Sequence, residues 1–438
     1  MNPLAQSLNE TLAENTPRLL DMLSRVGQEL FFPKGILSQS AEAKEKAHAI
    51  NATIGIAKEN GNIMNLPSVM GLIEGFSPEE SITYAPSFGL PELRRAWQQE
   101  IFAKNPSLEG RDISLPVVTC GITHAISIFA DMWTDPGDTV LLPDMMWGNY
   151  NMILGVRHGV KIETYSIFTD SGGYNLEAFA RAAENQAGQS GRVIALLNFP
   201  HNPTGYTVTE KEGRALTDIL IRLAEEGHQV MAVCDDSYFG LFYEPDTMAE
   251  SLFARLCGRH ENLLPIKLDG ATKENYVWGL RIGFITYGCH SPQNSEAVFD
   301  ALEKKTAGCV RGNISNASHL SQSIVLKSLK DGAYRKEKQA KFEQLRARAR
   351  RVKEVLADDK YASAWEVYPF NSGYFMCLKL KTVKAEELRR HLLDNHGVGL
   401  IALGERDLRV AFSCITEEEV APLFDIILQG IKEISADS

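Results

Sequence analysis

The chain has 438 residues, 44% of them hydrophobic, which is enough for a large core and more than one domain. Its formal net charge of −11 argues against a nucleic-acid binder. Seven scattered cysteines without a CxxC pair argue against structural disulfides and a zinc site, and fit a reducing, cytoplasmic setting.

No basic segment followed by an apolar core opens the chain, and no apolar run reaches the ~18–20 residues of a membrane span. Residues 1–30 predict one or two amphipathic helices, with Leu19, Leu20, Met22 and Leu23 among the apolar positions. Glycine-containing loops follow, including Ile54-Gly55-Ile56. Leu93, Trp97 and Ile101 then recur every four residues and predict a helix that begins near Pro91. From about 117 the rhythm changes to short apolar runs at 117–119, 139–142, 162–165, 193–197, 230–234, 264–268 and 281–285, separated by helical segments. Several read as fully buried strands, so a mainly parallel sheet covered by helices is expected, with ligands at the carboxyl ends of its strands. A long helical stretch is predicted over 316–357, with Phe342, Leu345, Ala349, Val352 and Leu356 as its seam and the basic run 346–353 on a solvated face. Residues 361–438 read as a small α+β domain that packs with the N-terminal segment.

Four strand ends carry polar residues of interest. Cys120-Gly121-Ile122-Thr123-His124 opens a helix, where free backbone N–H groups and a hydroxyl can cradle a phosphate; alone it fits an ordinary capped helix better. Met146-Trp147-Gly148-Asn149-Tyr150 offers a tryptophan that can lie against a heteroaromatic ring or simply fill a core. Phe199-Pro200-His201-Asn202-Pro203-Thr204-Gly205 is a turn that presents Asn202, with His201 read as structural. Asp235-Asp236-Ser237-Tyr238 ends an apolar strand with a carboxylate that needs a cationic partner; Asp235 is the better candidate and Asp236 is expected to face elsewhere. Further on, Lys273 precedes Arg281 by eight residues, an amine able to form a Schiff base followed by an arginine able to fork onto a phosphate.

Together, Asn202-Pro203-Thr204-Gly205, Asp235-x-x-Tyr238, Lys273 and Arg281 resemble the fold-type I pyridoxal-phosphate enzymes, and within them the class I aminotransferases that act on aspartate and aromatic amino acids. The resemblance runs from about residue 50 to the C-terminus. Segment 51–58 resembles the loop whose glycine, here Gly55, borders the substrate carboxylate. Segment 84–90 resembles the one whose tyrosine, here Tyr84, reaches the neighbouring subunit's phosphate. Segment 408–413 resembles the strand whose arginine, here Arg409, forks onto the α-carboxylate.

The resemblance implies an α/β fold: a mainly parallel seven-stranded sheet in a large cofactor-binding domain at 66–335, a small α+β domain at 336–438, and an N-terminal segment at 1–65 packing on the latter. It implies pyridoxal 5′-phosphate as cofactor, no metal, and Lys273 as both its anchor and the general base. Asp235 would keep the pyridine nitrogen protonated, Tyr238 and Asn202 would bond the phenolic oxygen, and Trp147 would stack on the ring. Arg281, with Gly121, Ile122 and Thr123, would hold the phosphate. Two positions depart from the pattern. Where many relatives carry a phosphate-binding serine the chain has Gly270, for which Thr272 could compensate in part; and a tyrosine of some relatives is Ala57. Val310-Arg311-Gly312-Asn313-Ile314-Ser315-Asn316 resembles the segment whose arginine crosses the dimer interface to a substrate's distal carboxylate, with a surface or interface cation in an ordinary ion pair as the alternative reading of Arg311.

The implied activity is amino-group transfer between an L-amino acid (aspartate, glutamate or aromatic) and a 2-oxo acid such as 2-oxoglutarate, by a ping-pong aldimine/pyridoxamine mechanism in a homodimer with shared sites. A carbon–sulfur β-lyase on the same fold is the alternative. A non-enzymatic regulator is the third reading, and the N-terminal residues carry no basic excess to support it.

Overall fold

A computed structural model describes residues 1–31, 35–290 and 295–436. The seven apolar runs form one sheet: β1 (Val117–Thr119), β2 (Thr139–Pro143), β3 (Lys161–Tyr165), β4 (Arg192–Asn198), β5 (Gln229–Asp235), β6 (Leu263–Gly270) and β7 (Gly283–Tyr287), in the order β1-β7-β6-β5-β4-β2-β3. All neighbours are parallel except β7, which runs antiparallel to both β1 and β6. Strand alternation feeds two cores: Val193, Ala195 and Leu197 pack on one face, Ile194 and Leu196 on the other. β7 starts two residues later than the sequence predicts. Arg281 precedes it in a left-handed conformation, φ 53°, which an arginine adopts only when its surroundings hold it there.

Helices cover both faces. α1 (Pro3–Asn15) is capped by the Asn2 side chain, and two shorter helices, Pro17–Met22 and Arg25–Glu29, complete a three-helix opening segment in place of the expected one or two. Leu19 and Met22 remain exposed there. α2 (Pro91–Lys104) begins at its proline and buries Leu93, Trp97 and Ile101, with Trp97 stacked 4.2 Å from Phe284 of β7. α3 (Gly121–Trp133), α4 (Leu176–Ser190) and α5 (Glu210–Glu225) follow β1, β3 and β4.

After α6 (Ser295–Asn313), the long helical stretch predicted over 316–357 is two helices, α7 (His319–Lys330) and α8 (Gly332–Leu356). The break at Asp331 has a local cause. Its backbone is extended, and its side chain caps α8 by accepting from the Ala333 N–H at 2.8 Å. The seam of α8 is buried at Leu345, Ala349 and Val352. The basic run is not wholly solvated: Arg348 is buried and donates to the carbonyls of Ser413 (2.8 Å) and Lys58 (2.7 Å).

A second, antiparallel sheet holds β8 (Trp365–Val367), β9 (Met376–Leu380), β10 (Ile401–Leu403) and β11 (Asp407–Val410), in the order β8-β9-β11-β10. It packs with α8, α9 (Ala385–His396) and α10 (Glu417–Ala436) around Leu345, Leu378, Leu408, Leu423 and Ile427. Ile50–Asn51 pairs parallel with Val398–Gly399, and Ala411 donates to the Ala52 carbonyl at 2.9 Å, so residues 50–53 lie beside the end of β11. Among the described residues, no helix is long and apolar enough to cross a membrane.

Candidate active site

Register brings the strand ends together. Asn198 and Asp235 are the last residues of β4 and β5 and face each other in the ladder, with the Asn198 amide donating to the Asp235 carbonyl at 2.8 Å. Gly270 ends β6 opposite Gly283, and Thr119 ends β1 opposite the same Gly283. The carboxyl ends of the parallel strands therefore meet the entrance of β7, which Arg281 precedes.

Asp235 is buried and firmly held. Its Oδ2 accepts from the Tyr150 hydroxyl at 2.5 Å, and its Oδ1 accepts from the backbone N–H and hydroxyl of Ser237. Burial and the neighbouring Asp235 carboxylate push the Tyr150 phenol well above its usual range, so it stays a donor. Asp236 does face elsewhere: it pairs with the buried Lys267 and accepts from Ser251. His201 is buried against Thr204, and desolvation pulls its imidazole down to about 3, which fits a neutral structural residue.

Lys273 lies in the turn after β6, its Nζ 5.0 Å from the centre of the Tyr238 ring. Its amine is pulled down to about 8 by burial, opposed by the Asp235 carboxylate and helped by the Arg281 guanidinium. Tyr238 itself is raised by burial and packs edge-on to Tyr374 and Phe375. Trp147, half-buried, meets Tyr150 in a T-shaped contact at 5.4 Å.

Two arginines flank this group without carboxylate partners among the described residues. Arg281 lies over the start of α3: a Cβ on Gly121 would stand 2.5 Å from its Nη2 and would have to push the guanidinium aside, and the Gly121 φ of +75° itself favours glycine. A guanidinium beside the positive end of a helix is unfavourable unless an anion sits between them. Ile122 is buried and Thr123 half-buried in the same first turn. Arg409 is buried on β11, 4.2 Å from the Phe375 ring centre. It donates to Asn202 Oδ1 (3.2 Å) and the Thr53 carbonyl (2.9 Å), while its buried Nε has no partner. A desolvated guanidinium with a spare donor is built to receive a carboxylate. Gly55 borders the same space: a Cβ there would stand 3.5 Å from the Tyr238 hydroxyl and 3.3 Å from Phe375 Cζ.

The departure at Gly270 has a steric reason. A Cβ at 270 would come within 2.6 Å of the Ile282 carbonyl, so the tight pairing with Gly283 leaves no room for serine. The adjacent Thr272 hydroxyl is buried without a partner. That orphaned donor, the unpaired Arg281 and the glycine cradle on α3 fit a phosphate-bearing cofactor.

Tyr84 and Arg311 are not joined to this group by any hydrogen bond, ion pair or ring contact among the described residues. Tyr84 is 91% exposed, and Arg311 is exposed with a bond to Ser315. Sequence reasoning assigned no role to Tyr150, Ser237 or Phe375. Tyr150 had a signal, since it closes the segment after β2 that contains Trp147. Phe375 had none, because it meets Arg409 only across the second sheet.

The class I and II aminotransferase family model matches residues 65–427. Aspartate aminotransferase of Salmonella typhi is 25% identical over 400 residues, covering 90% of this chain and 96% of that protein. The probable N-acetyl-LL-diaminopimelate aminotransferase of Bacillus subtilis is 24% identical over 349 residues, covering 77% and 79%. A solved aminotransferase from Anaerococcus prevotii shares the fold at a TM-score of 0.83, with 23% identity over 94% of this chain and 99% of its own. The chain therefore belongs to the class I and II aminotransferases: it is a fold-type I transaminase whose cofactor is pyridoxal 5′-phosphate.

Proposed function

We propose that this transaminase moves amino groups between a dicarboxylic or aromatic L-amino acid and a 2-oxo acid such as 2-oxoglutarate. The observation that carries the reading is Arg409, a buried guanidinium with an unpartnered Nε and no carboxylate partner among the described residues. It would take the substrate α-carboxylate in a two-pronged grip, with Gly55 and Asn202 at its edge.

Bound pyridoxal phosphate supplies a carbonyl that takes up the amino group and a ring that accepts the electron pair left on Cα. Lys273 would anchor the cofactor and, once displaced, its amine would move the substrate α-proton. An amine pulled down to about 8 has a usable neutral fraction near neutral pH. Asp235, fixed by Tyr150 and Ser237, would hold a proton on the pyridine nitrogen. Tyr238 and Asn202 would bond the phenolic oxygen, Trp147 would lie on the ring, and Arg281 with Gly121, Ile122 and Thr123 would hold the phosphate. Tyr84 would reach the phosphate of a second copy's site. The same homodimer would bring Arg311 to the distal carboxylate of its neighbour's substrate. Names of relatives support dicarboxylates, since aspartate and diaminopimelate derivatives both carry a distal carboxylate. We also propose a division at 65 and 335 into an N-terminal segment, a cofactor domain and a small domain. A reducing, cytoplasmic setting is supported by free thiols on the cysteines.

The test is the absorption spectrum of the cofactor-loaded protein during separate additions of L-glutamate, L-aspartate, L-alanine and L-tyrosine. Loss of the visible band with 2-oxo acid formation is expected for glutamate and aspartate. Arg311→Ala should weaken that response for both dicarboxylates far more than for tyrosine. Equal losses on all donors would remove Arg311 from substrate recognition. Pyruvate and ammonia released without an acceptor would instead mark a lyase.

A further inference from the structure

Away from the strand ends, three ligating groups converge where α9 meets α10. Glu433 Oε2 lies 2.6 Å from His391 Nε2 and 2.8 Å from His396 Nε2, and one ligand atom from each residue falls within 4.8 Å of the others. The two imidazole rings are 5.6 Å apart and inclined by 51°, so they approach the carboxylate from different directions. All three are partly buried, with side-chain exposures of 21%, 17% and 35%.

The surroundings resemble a supported ligand set. Gln429 donates to the other Glu433 oxygen at 2.7 Å, and the Asn395 side-chain amide lies 3.0 Å from His391 Nδ1. Rotation of that amide would let its oxygen accept an Nδ1–H, which is the outer contact a histidine bound through Nε2 requires. The helices are held close here. A Cβ on Gly430 of α10 would stand 2.8 Å from Leu392 and 3.5 Å from His391 Cδ2, and α9 ends at His396 with Gly397 in the left-handed region at φ +63°. Among the described residues, Glu433 meets these two imidazoles and forms an ion pair with no lysine or arginine. When both rings are neutral, the site has one uncompensated negative charge and two nitrogen lone pairs at its disposal.

We propose that His391, His396 and Glu433 form a Zn²⁺ site that clamps α10 to α9, with water completing a four-coordinate shell. Two imidazoles and a carboxylate suit zinc, and the fourth position needs no protein group. The site shares no residue with the cofactor-binding group, so its role is to brace the second sheet.

The experiment uses tag-free, cofactor-loaded protein stripped with EDTA. Calorimetric titration with Zn²⁺ should show one ion per chain, and Co²⁺ should give four-coordinate visible bands that Zn²⁺ displaces. Zn²⁺ should also raise the melting temperature. Asn395→Ala should weaken binding about 10-fold or more, as loss of an outer-shell partner does. Glu433→Gln, which keeps hydrogen bonding to both rings, and the His391→Ala/His396→Ala pair should each lose more than ~100-fold, beyond any outer-shell effect. These variants should melt like stripped wild type. No saturable binding in wild type would overturn the proposal. So would unchanged binding in the double-histidine variant, since the free thiols would then be holding the metal.

Discussion

Two lysines six residues apart, Lys267 and Lys273, show how environment separates residues that sequence cannot. Burial pulls both amines down. Beside Lys267, however, stand Asp236 and Asp269, which raise it above its usual range and fix it as a structural cation. Beside Lys273, Arg281 adds to burial and only Asp235 opposes it, leaving about 8. The sequence marked Lys273 through its spacing to Arg281, but the low pKa comes from side chains that the strand ends bring together. The sign of the stability effect follows. The folded value lies below the unfolded one, so the penalty for a charged Lys273 is fully present below pH 8. It fades as pH rises from about 8 to 10.5, where the folded state sheds its proton first. In cofactor-free protein, Lys273→Met should therefore be more stable than wild type at pH 7, by on the order of 2 kcal/mol after allowance for solvent access. Chemical denaturation at pH 7 and pH 10 would check this. The gap should close at the higher pH, and a gap that stays constant would assign the difference to packing rather than charge.

At the scale of elements, the sheet was legible because each buried run stops at a turn residue, and the site residues sit where those runs stop. Asp235 and Asn198 illustrate this: each closes an apolar strand, and register then sets them side by side. Helix boundaries were less legible. The apolar seam of α8 continues the pattern before it, and the Asp331-Gly332 break is a capping event that periodicity does not register. Arg348 was misplaced for a similar reason: a basic run reads as solvated, yet two backbone carbonyls from distant segments meet its guanidinium. Gly270 shows the strongest coupling between elements. Restoring the serine of relatives by Gly270→Ser would press a Cβ to within 2.6 Å of the Ile282 carbonyl, a backbone atom that yields only if β7 moves. Overpacking of this kind costs about 1–3 kcal/mol. The variant should melt several degrees lower and hold the cofactor more weakly, because Arg281 is anchored next to Ile282. A thermal melt together with a cofactor titration would measure both. An unchanged melting temperature with tighter cofactor binding would mean that the strands part easily and that the glycine is not required by packing.

At the scale of the whole molecule, two large side chains stand open to solvent on one segment. Ile82 is 82% exposed and Tyr84 91%, and the segments bearing Tyr84 and Arg311 are tied together by the Ser87 hydroxyl on the Ser315 carbonyl at 2.8 Å. Exposed large side chains of this kind fit a face that meets another copy, and Tyr84 and Arg311, on these tied segments, are the two residues proposed to serve a neighbour's site. Sequence could suggest that assignment only by resemblance, since no periodicity records which subunit a side chain serves. Mixed dimers decide it. Lys273→Ala alone should have no transaminase activity, and Arg311→Ala alone should be poor on aspartate. In a hybrid of the two, the subunit that keeps Lys273 would receive Arg311 from its partner, giving one complete site. Random reassociation of equal amounts would then restore about a quarter of wild-type activity on aspartate, since half of the dimers are hybrid and each has one working site. If Arg311 instead served its own subunit, every hybrid site would lack either the amine or the arginine, and mixing would restore nothing.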